Sequence, residues 1–489
     1  MMKKLERILL CGFIGMSLAA CTSQNPAADS SEDTGKTVEN STEGGVPADS
    51  DESTSAVPSK ESIEIHETLE SSADGEHVIT ADGEALTYAN TAVNKTGDSS
   101  GDEADFYGEN AAVFATNGGT LELSDMVITT NGTHANAVFS YGEGTVVTIR
   151  DSVIETSGNC SGGLMTTGGG TMTAENLNIH TTGNSSAAIR SDRGGGTVNV
   201  TGGIYTTDGT GSPVIYSTAD IIVNDAIMIS TASQGVVVEG NNSVTLNNVD
   251  LTADNNAKNS DKSDYYQAVM IYQSMSGDAA EGLSSFSMTG GSLTNQNGDI
   301  FFVNNTVTEI ALSDATIINE DEEGVFLRAA AAGWGSEGSN GGQVTLTAEN
   351  QEINGDILVD SVSNTNLILT EGSVFNGAIN PDGEQGEVYV ELDSSSKWVL
   401  TEDSYITGLT CEAGAVDLNG YTLYINGEVY DGGASAGERI EAVVTSGGHS
   451  GMAPDGEHGG PGGTPPDGAP GGTPPEGGPG GEPPAKPGN

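Results

Sequence analysis

A short apolar segment returns along this chain at a nearly fixed interval, and that interval leaves few folds open. It reads AAVF at 111, NAVF at 136, GGLM at 162, AAIR at 187, PVIY at 213, GVVV at 235, QAVM at 267, DIFF at 299, GVFL at 324, DILV at 356 and EVYV at 387. The steps are 25, 26, 25, 26, 22, 32, 32, 25, 32 and 31 residues. Two further markers keep the same beat: Gly-Thr pairs at Gly119-Thr120, Gly144-Thr145, Gly170-Thr171 and Gly196-Thr197, and the series Ile128, Ile154, Ile179. A β-sandwich has no need of this, because its hairpins vary in length. A stack does, because each strand must pair with its own copy one turn later, about 4.8 Å along the axis. The chain is therefore expected to be all-β, a single-stranded right-handed parallel β-helix over residues 71–430. Three short strands per turn and about twelve coils would make a rod roughly 55 Å long. Ala137 and Phe139, like Leu121 and Leu123, are expected to point inward, and the segments 75–110 and 395–430 are expected to cover the open ends.

Composition agrees with a narrow stacked core. Gly is 70 of 489 residues and aromatics are only 5%, too few large side chains to fill a broad interior. Lys plus Arg is 15 against 70 for Asp plus Glu. Such a charge repels phosphate backbones and argues against nucleic-acid binding. Only Cys160 and Cys411 fall within the repeats, about ten turns apart, so no disulfide between them is expected.

Both ends of the chain read differently from the repeats. Residues 1–20 have a basic start and an apolar run from Ile8 to Ala20, too short to span a bilayer and typical of a secretory signal. Leu18-Ala19-Ala20-Cys21 resembles the bacterial lipobox, which implies cleavage before Cys21 and lipidation of its sulfur. The expected location is extracytoplasmic, lipid-anchored to the cell membrane or outer membrane and exposed at the surface. Residues 21–70 are Ser, Thr, Asp and Glu with almost no apolar periodicity, a solvated tether. Residues 431–489 turn to Gly and Pro with a nine-residue echo, an extended tail that can form no core.

The runs at 196–221, 271–299 and 333–348 resemble a group of adhesin-like β-helix surface proteins of gut bacteria. Trp398-Val399-Leu400-Thr401 and its flanks are similar to a strand near the end of pertactin-type passenger helices. The resemblance implies a parallel β-helix of the pectate-lyase-like kind displayed at a surface, and it names no ligand. No translocator barrel follows, so a passenger on its own barrel is not expected.

Stacking fixes coil length, so steps of 31 or 32 residues mark loops that bulge outward, where binding is expected. The insertion 251–266 carries Asp254, Asp261, Asp264, Tyr265 and Tyr266; 273–283 carries Asp278 and Glu281; 329–342 carries Trp334. The last two follow the same strand two coils apart and would border one surface. Aromatic rings beside carboxylates suit sugars, so Trp334, Tyr272, Asp278, Glu281, Tyr265 and Tyr266 are glycan-binding candidates. Asp250, Asp254, Asp261 and Asp264, or the run Glu320-Asp321-Glu322-Glu323, could hold Ca²⁺, without any established calcium-loop spacing; no other cofactor is expected. Arg190, Asp192 and Arg193 form the one basic cluster in the coils and are the catalytic candidates, an ion pair on a turn being the plainer reading.

The expected function is non-catalytic binding of a glycan or a host or matrix surface by a lipid-anchored rod. A polysaccharide lyase or hydrolase and a structural envelope spacer are the alternatives.

Overall fold

The computed structural model describes residues 56–383 and 386–443. The signal segment, Cys21 and most of both expected tails lie outside the described residues. Among the described residues strands take 49% and helix 2%, so the fold is all-β. No helix among the described residues is long and apolar enough to cross a membrane.

The repeat is a pairing repeat. Ten of the eleven apolar markers lie on one eleven-stranded sheet, each paired in parallel with the next, from Val113–Thr116 and Val138–Tyr141 through Ile357–Val359. Ile79–Asp82 precedes them. The other long sheet runs in two tracks. Leu121, Val147, Met172, Val198 and Ile221 stack in register along one. Val93, Ile128, Ile154, Ile179 and Tyr205 stack along the other. Alternate residues of both long sheets enter one continuous buried core, each large apolar side chain contributing roughly 1.5–3 kcal/mol.

Local chemistry sets the corners. Between the two tracks Asp125, Asp151, Asn176, Asp225 and Asn248 all take φ between 47° and 53°, the left-handed region that Asn and Asp tolerate. Their side chains bond from turn to turn: Asn176 Nδ2 donates to Asp151 Oδ1 and Asn248 Nδ2 to Asp225 Oδ1, each at 2.7 Å. At another corner Gly132, Gly158, Gly183 and Gly209 lie on one another so closely that a Cβ would meet the preceding glycine's carbonyl oxygen at 1.8–1.9 Å from Gly158 onward. The hydroxyls of Ser161, Ser186 and Ser212 donate to the carbonyls of Gly132, Gly158 and Gly183 at 2.8–3.0 Å.

Four expectations change. EVYV at 387 belongs to the larger sheet, where Glu387–Leu392 pairs with Asn364–Thr370. The residue that follows Ile357 in the eleven-stranded sheet's column is Ile379, through a single bridge. Phe139 points away from the main core into a separate cluster with Phe114 and Met165, because Val138 occupies the inward position. Residues 75–110 are no cap: they hold a full repeat of strands, Ile79–Asp82, Ala85–Ala89 and Thr91–Lys95, then the short helix Asp102–Phe106. The ordered body also extends past both expected boundaries, into the last residues of the expected tether and the first of the expected tail. Glu67–Ser71 is already a paired strand, Asn178 Nδ2 donates to Pro58 O, and Ile440 N donates to Asn366 Oδ1.

At the far end, parallel pairing stops in the hairpin Leu423–Ile425/Glu428–Val429, turned by Asn426 and Gly427, both at positive φ. Trp398 is fully buried there, stacked on Phe375 with Nε1 donating to Gly377 O at 2.9 Å. Cys411 is a buried free thiol, so it makes no bond to Cys160.

Candidate functional site

Strands in the middle of the eleven-stranded sheet, such as Leu164–Thr167, Val236–Glu239 and Gln267–Tyr272, are buried on both faces. On the face turned from the main core, one register column runs Phe139, Met165, Arg190, Tyr216, Val237, Met270, Phe302. Arg190 and Tyr216 form a polar step in this column between apolar residues, and Arg328 follows Phe302 in register. What covers it is the set of outward bulges that the long repeat steps mark.

Helix Asp102–Phe106 and the loops 254–266, 273–282 and 330–341 close over the column and hold one another. Gly333 N donates to Lys262 O at 2.6 Å, and Asn305 Nδ2 to Gln273 O at 2.7 Å. The Trp334 ring meets the edge of Tyr272 at 5.2 Å between centroids. Trp334 therefore packs on the sheet and on a neighbouring insertion as well as against Ala330 and Ala332 of its own loop, and is 3% exposed.

Two adjoining cavities remain beneath. The first, open to solvent, is lined by Arg190, Asp192, Tyr216, Tyr272 and Asp278 together with Phe106. The second is lined by Tyr265, Tyr266, Trp334, Asn255 and Lys258. They share Gln234, Asn259 and Met270 as a common wall. Five of the six glycan candidates thus converge on one two-chambered groove; Glu281 lines neither chamber.

Charges in the first chamber form a closed network. Arg190 Nε and Nη2 both donate to Asp192 Oδ2, at 3.1 and 2.7 Å, and its Nη1 lies 3.6 Å from Asp105 Oδ1. His134 Nδ1 lies 3.4 Å from the same Asp105 oxygen. Arg193 works as a latch: Nε donates to Asp278 Oδ1 at 2.9 Å, Nη1 to Asp102 Oδ2 at 3.0 Å, and its guanidinium sits 3.6 Å above the Phe106 ring. It joins helix and loop across the mouth of the chamber. Glu239 is buried behind, accepting from the hydroxyls of Tyr216, Tyr272 and Ser274.

These positions set the protonation states. Burial pushes the Asp192 carboxyl up, Arg190 opposes it, and the Asp278 charge adds to the rise, leaving it at about 7. Burial likewise raises Glu239 against the pull of its three hydroxyl donors, with Asp278 again adding. Asp105 behaves oppositely: burial would raise it, but the His134 contact and the Arg190 charge hold it below the usual carboxylate range. Burial works against the charge of Arg190 too, yet Asp192 and Asp105 outweigh it and keep the guanidinium charged.

The metal candidates are not brought together. Asp250 accepts from Ser292, Asp254 from Asn256, and Asp264 pairs with Lys258 on the exposed side of its loop. Asp261 joins none of them, and the acidic run at 320–323 is spent in part on turn amides, Asp321 accepting from Gly298 N and Glu323 N. Among the described residues only Asp105, His134 and Cys160 place three ligand-type atoms within 4.8 Å of one another, and there Asp105 already serves Arg190.

Sequence reasoning missed Tyr216, Glu239, Asp105 and the bridging Asn259. Tyr216 and Glu239 had a signal: each follows an inward residue of a marker strand and so faces the other side. Asp105 had none, since only folding brings the helix over the sheet. Compared with known proteins, the chain matches no family model, no curated protein and no solved structure.

Proposed function

We propose that this chain is a lipoprotein anchored through Cys21, built as a right-handed parallel β-helix of about twelve coils of the adhesin-like kind, that binds a saccharide in the two-chambered groove. The handed helix is supported by parallel pairing that keeps pace in every track of the stack. The observation that carries the function is the convergence of Trp334, Tyr265, Tyr266 and Asp278, from three separate insertions, with Tyr272 of the sheet onto one groove. Rings facing a cavity with carboxylate, amide and hydroxyl groups between them are what sugar faces and sugar hydroxyls require.

A uronate lyase fits poorly, because Arg190, Arg193 and Arg328 are each already held by an aspartate, leaving none as the base. One observation favours hydrolysis as a second reading: Asp192, raised to about 7, shares a cavity with a second carboxyl group, Asp278, and acid–base cleavage uses two such groups. Release of reducing ends from a bound glycan, lost in Asp192→Asn, would separate hydrolysis from binding alone.

Binding itself is tested on a glycan array with the mature chain carrying Cys21→Ser. Selective binding is expected, weakened about 30-fold or more by Trp334→Ala, the cost of losing a central aromatic anchor. A spacer would bind nothing, and binding untouched by Trp334→Ala would place the ligand elsewhere.

A further inference from the structure

The first chamber is surrounded by more carboxyl groups than guanidiniums, and burial favours the neutral form of two of them, Asp192 and Glu239. Around it stand two guanidiniums, Arg190 and Arg193, and five carboxylates: Asp102, Asp105, Asp192, Asp278 and Glu239. Both arginines are fully engaged, and no cation in the wall is left for an anionic ligand. The remaining wall is apolar and aromatic, with Val237, Met270 and the rings of Tyr216 and Tyr272. Such a wall disfavours a strongly hydrated metal ion, which would need six or more oxygens around it. It favours an organic ammonium, which can lie against a ring and beside a carboxylate at once.

We propose that the first chamber selects an amino sugar with a free amine over neutral and acidic sugars, a choice of ligand that rests on the saccharide reading of the groove. The ammonium would sit between Asp192 and Asp278 against the tyrosine rings, while the adjoining unit occupies the chamber of Trp334 and Tyr265.

Proton release follows from the surroundings of Asp192. It is faced by Arg190 on its own strand and Arg193 on the turn after it, by Asp278 from the loop 273–282, and by Glu239 and Tyr216 from neighbouring strands. With its carboxyl at about 7, roughly half the molecules carry a proton there at neutral pH. An arriving ammonium favours the ionised form, so binding expels that fraction of a proton.

The test is calorimetry on the mature chain carrying Cys21→Ser, in two buffers of different ionisation heat at about pH 5.5, where the ligand amines are already charged and cannot take up the proton that Asp192 gives up. The ligands are a glucosamine tetramer, its fully N-acetylated form and a galacturonate tetramer. The free-amine tetramer is expected to bind about tenfold or more tighter than the acetylated one, with proton release, and the galacturonate not at all. Asp192→Asn should abolish the release, and Asp278→Asn should separately reduce the preference. Equal binding of amine and acetylated forms, or no proton release, overturns the selectivity while leaving saccharide binding intact. Failure of all three ligands, with no glycan bound on the array, overturns the saccharide reading itself.

Discussion

Replacing Gly183 with Ala is expected to destabilise the protein by about 3 kcal/mol or more, the upper range for an overpacked interior. The added Cβ would stand 1.9 Å from the carbonyl oxygen of Gly158, an overlap that only moving one turn of the stack against the next can relieve. The damage should also spread, because the Gly183 carbonyl accepts from Ser212 and would in turn meet a shifted Gly209. Gly118→Ala is the control. Its φ is +75°, but a Cβ there meets nothing within 4 Å, so it pays only left-handed strain of about 1–2 kcal/mol. Urea unfolding of both variants measures the difference, and equal costs would contradict close stacking at this corner.

Arg190→Ala is expected to cost about 3–5 kcal/mol, the penalty for stranding a buried charge. Without the guanidinium, Asp192 and Asp105 are left facing each other's charge among residues nearly closed to water. This cost should depend on pH. Because the folded-state carboxyl of Asp192 is raised above its unfolded value, its contribution to stability is present below the ordinary carboxylate range and is lost as pH rises through about 7. Taking Arg190 away removes the one charge that eases that loss. The gap between wild type and variant should therefore widen from pH 5 to pH 8, read as melting temperature across the series. A gap that stays constant would mean that Asp192 is ionised throughout.

The stack was legible because its markers are spaced by pairing itself. Ile128, Ile154 and Ile179 fall in one column as their spacing implied. The Gly-Thr marker slips at one turn, where Val146, not Thr145, pairs with Thr120 and Thr171, since a corner can absorb a residue without breaking the column. EVYV at 387 misled for a related reason: the position that continues from Ile357 is the lone residue Ile379, too short a strand to read, while the next strong apolar run belongs to another track.

Direction was harder to read than position. Alternation tells inside from outside only where one face meets water, and Leu164–Thr167 or Val236–Glu239 are buried on both. Phe139 was assigned to the wrong side on that account. The same double burial hid Glu239 and Tyr216, which read as the polar ends of apolar strands. Three of the four long repeat steps, by contrast, fall at loops that cover the column, those carrying Tyr265, Asp278 and Trp334, while the fourth came from the misplaced EVYV. The ion-pair reading of Arg190 and Asp192 was also legible; its place on the floor of a chamber was not, because the roof comes from residues 102–106 and 278, about 85 positions away on either side.

Only two tryptophans are present, Trp334 in the groove and Trp398 sealed under the far end of the stack. In a Trp398→Phe variant, which keeps a ring against Phe375, emission therefore reports on Trp334 alone. Saturating that protein with a glycan chosen on the array is expected to shift or quench the emission, with a midpoint equal to the affinity found by calorimetry. Full binding with unchanged emission would mean that the saccharide sits away from this groove, contrary to the site assigned here.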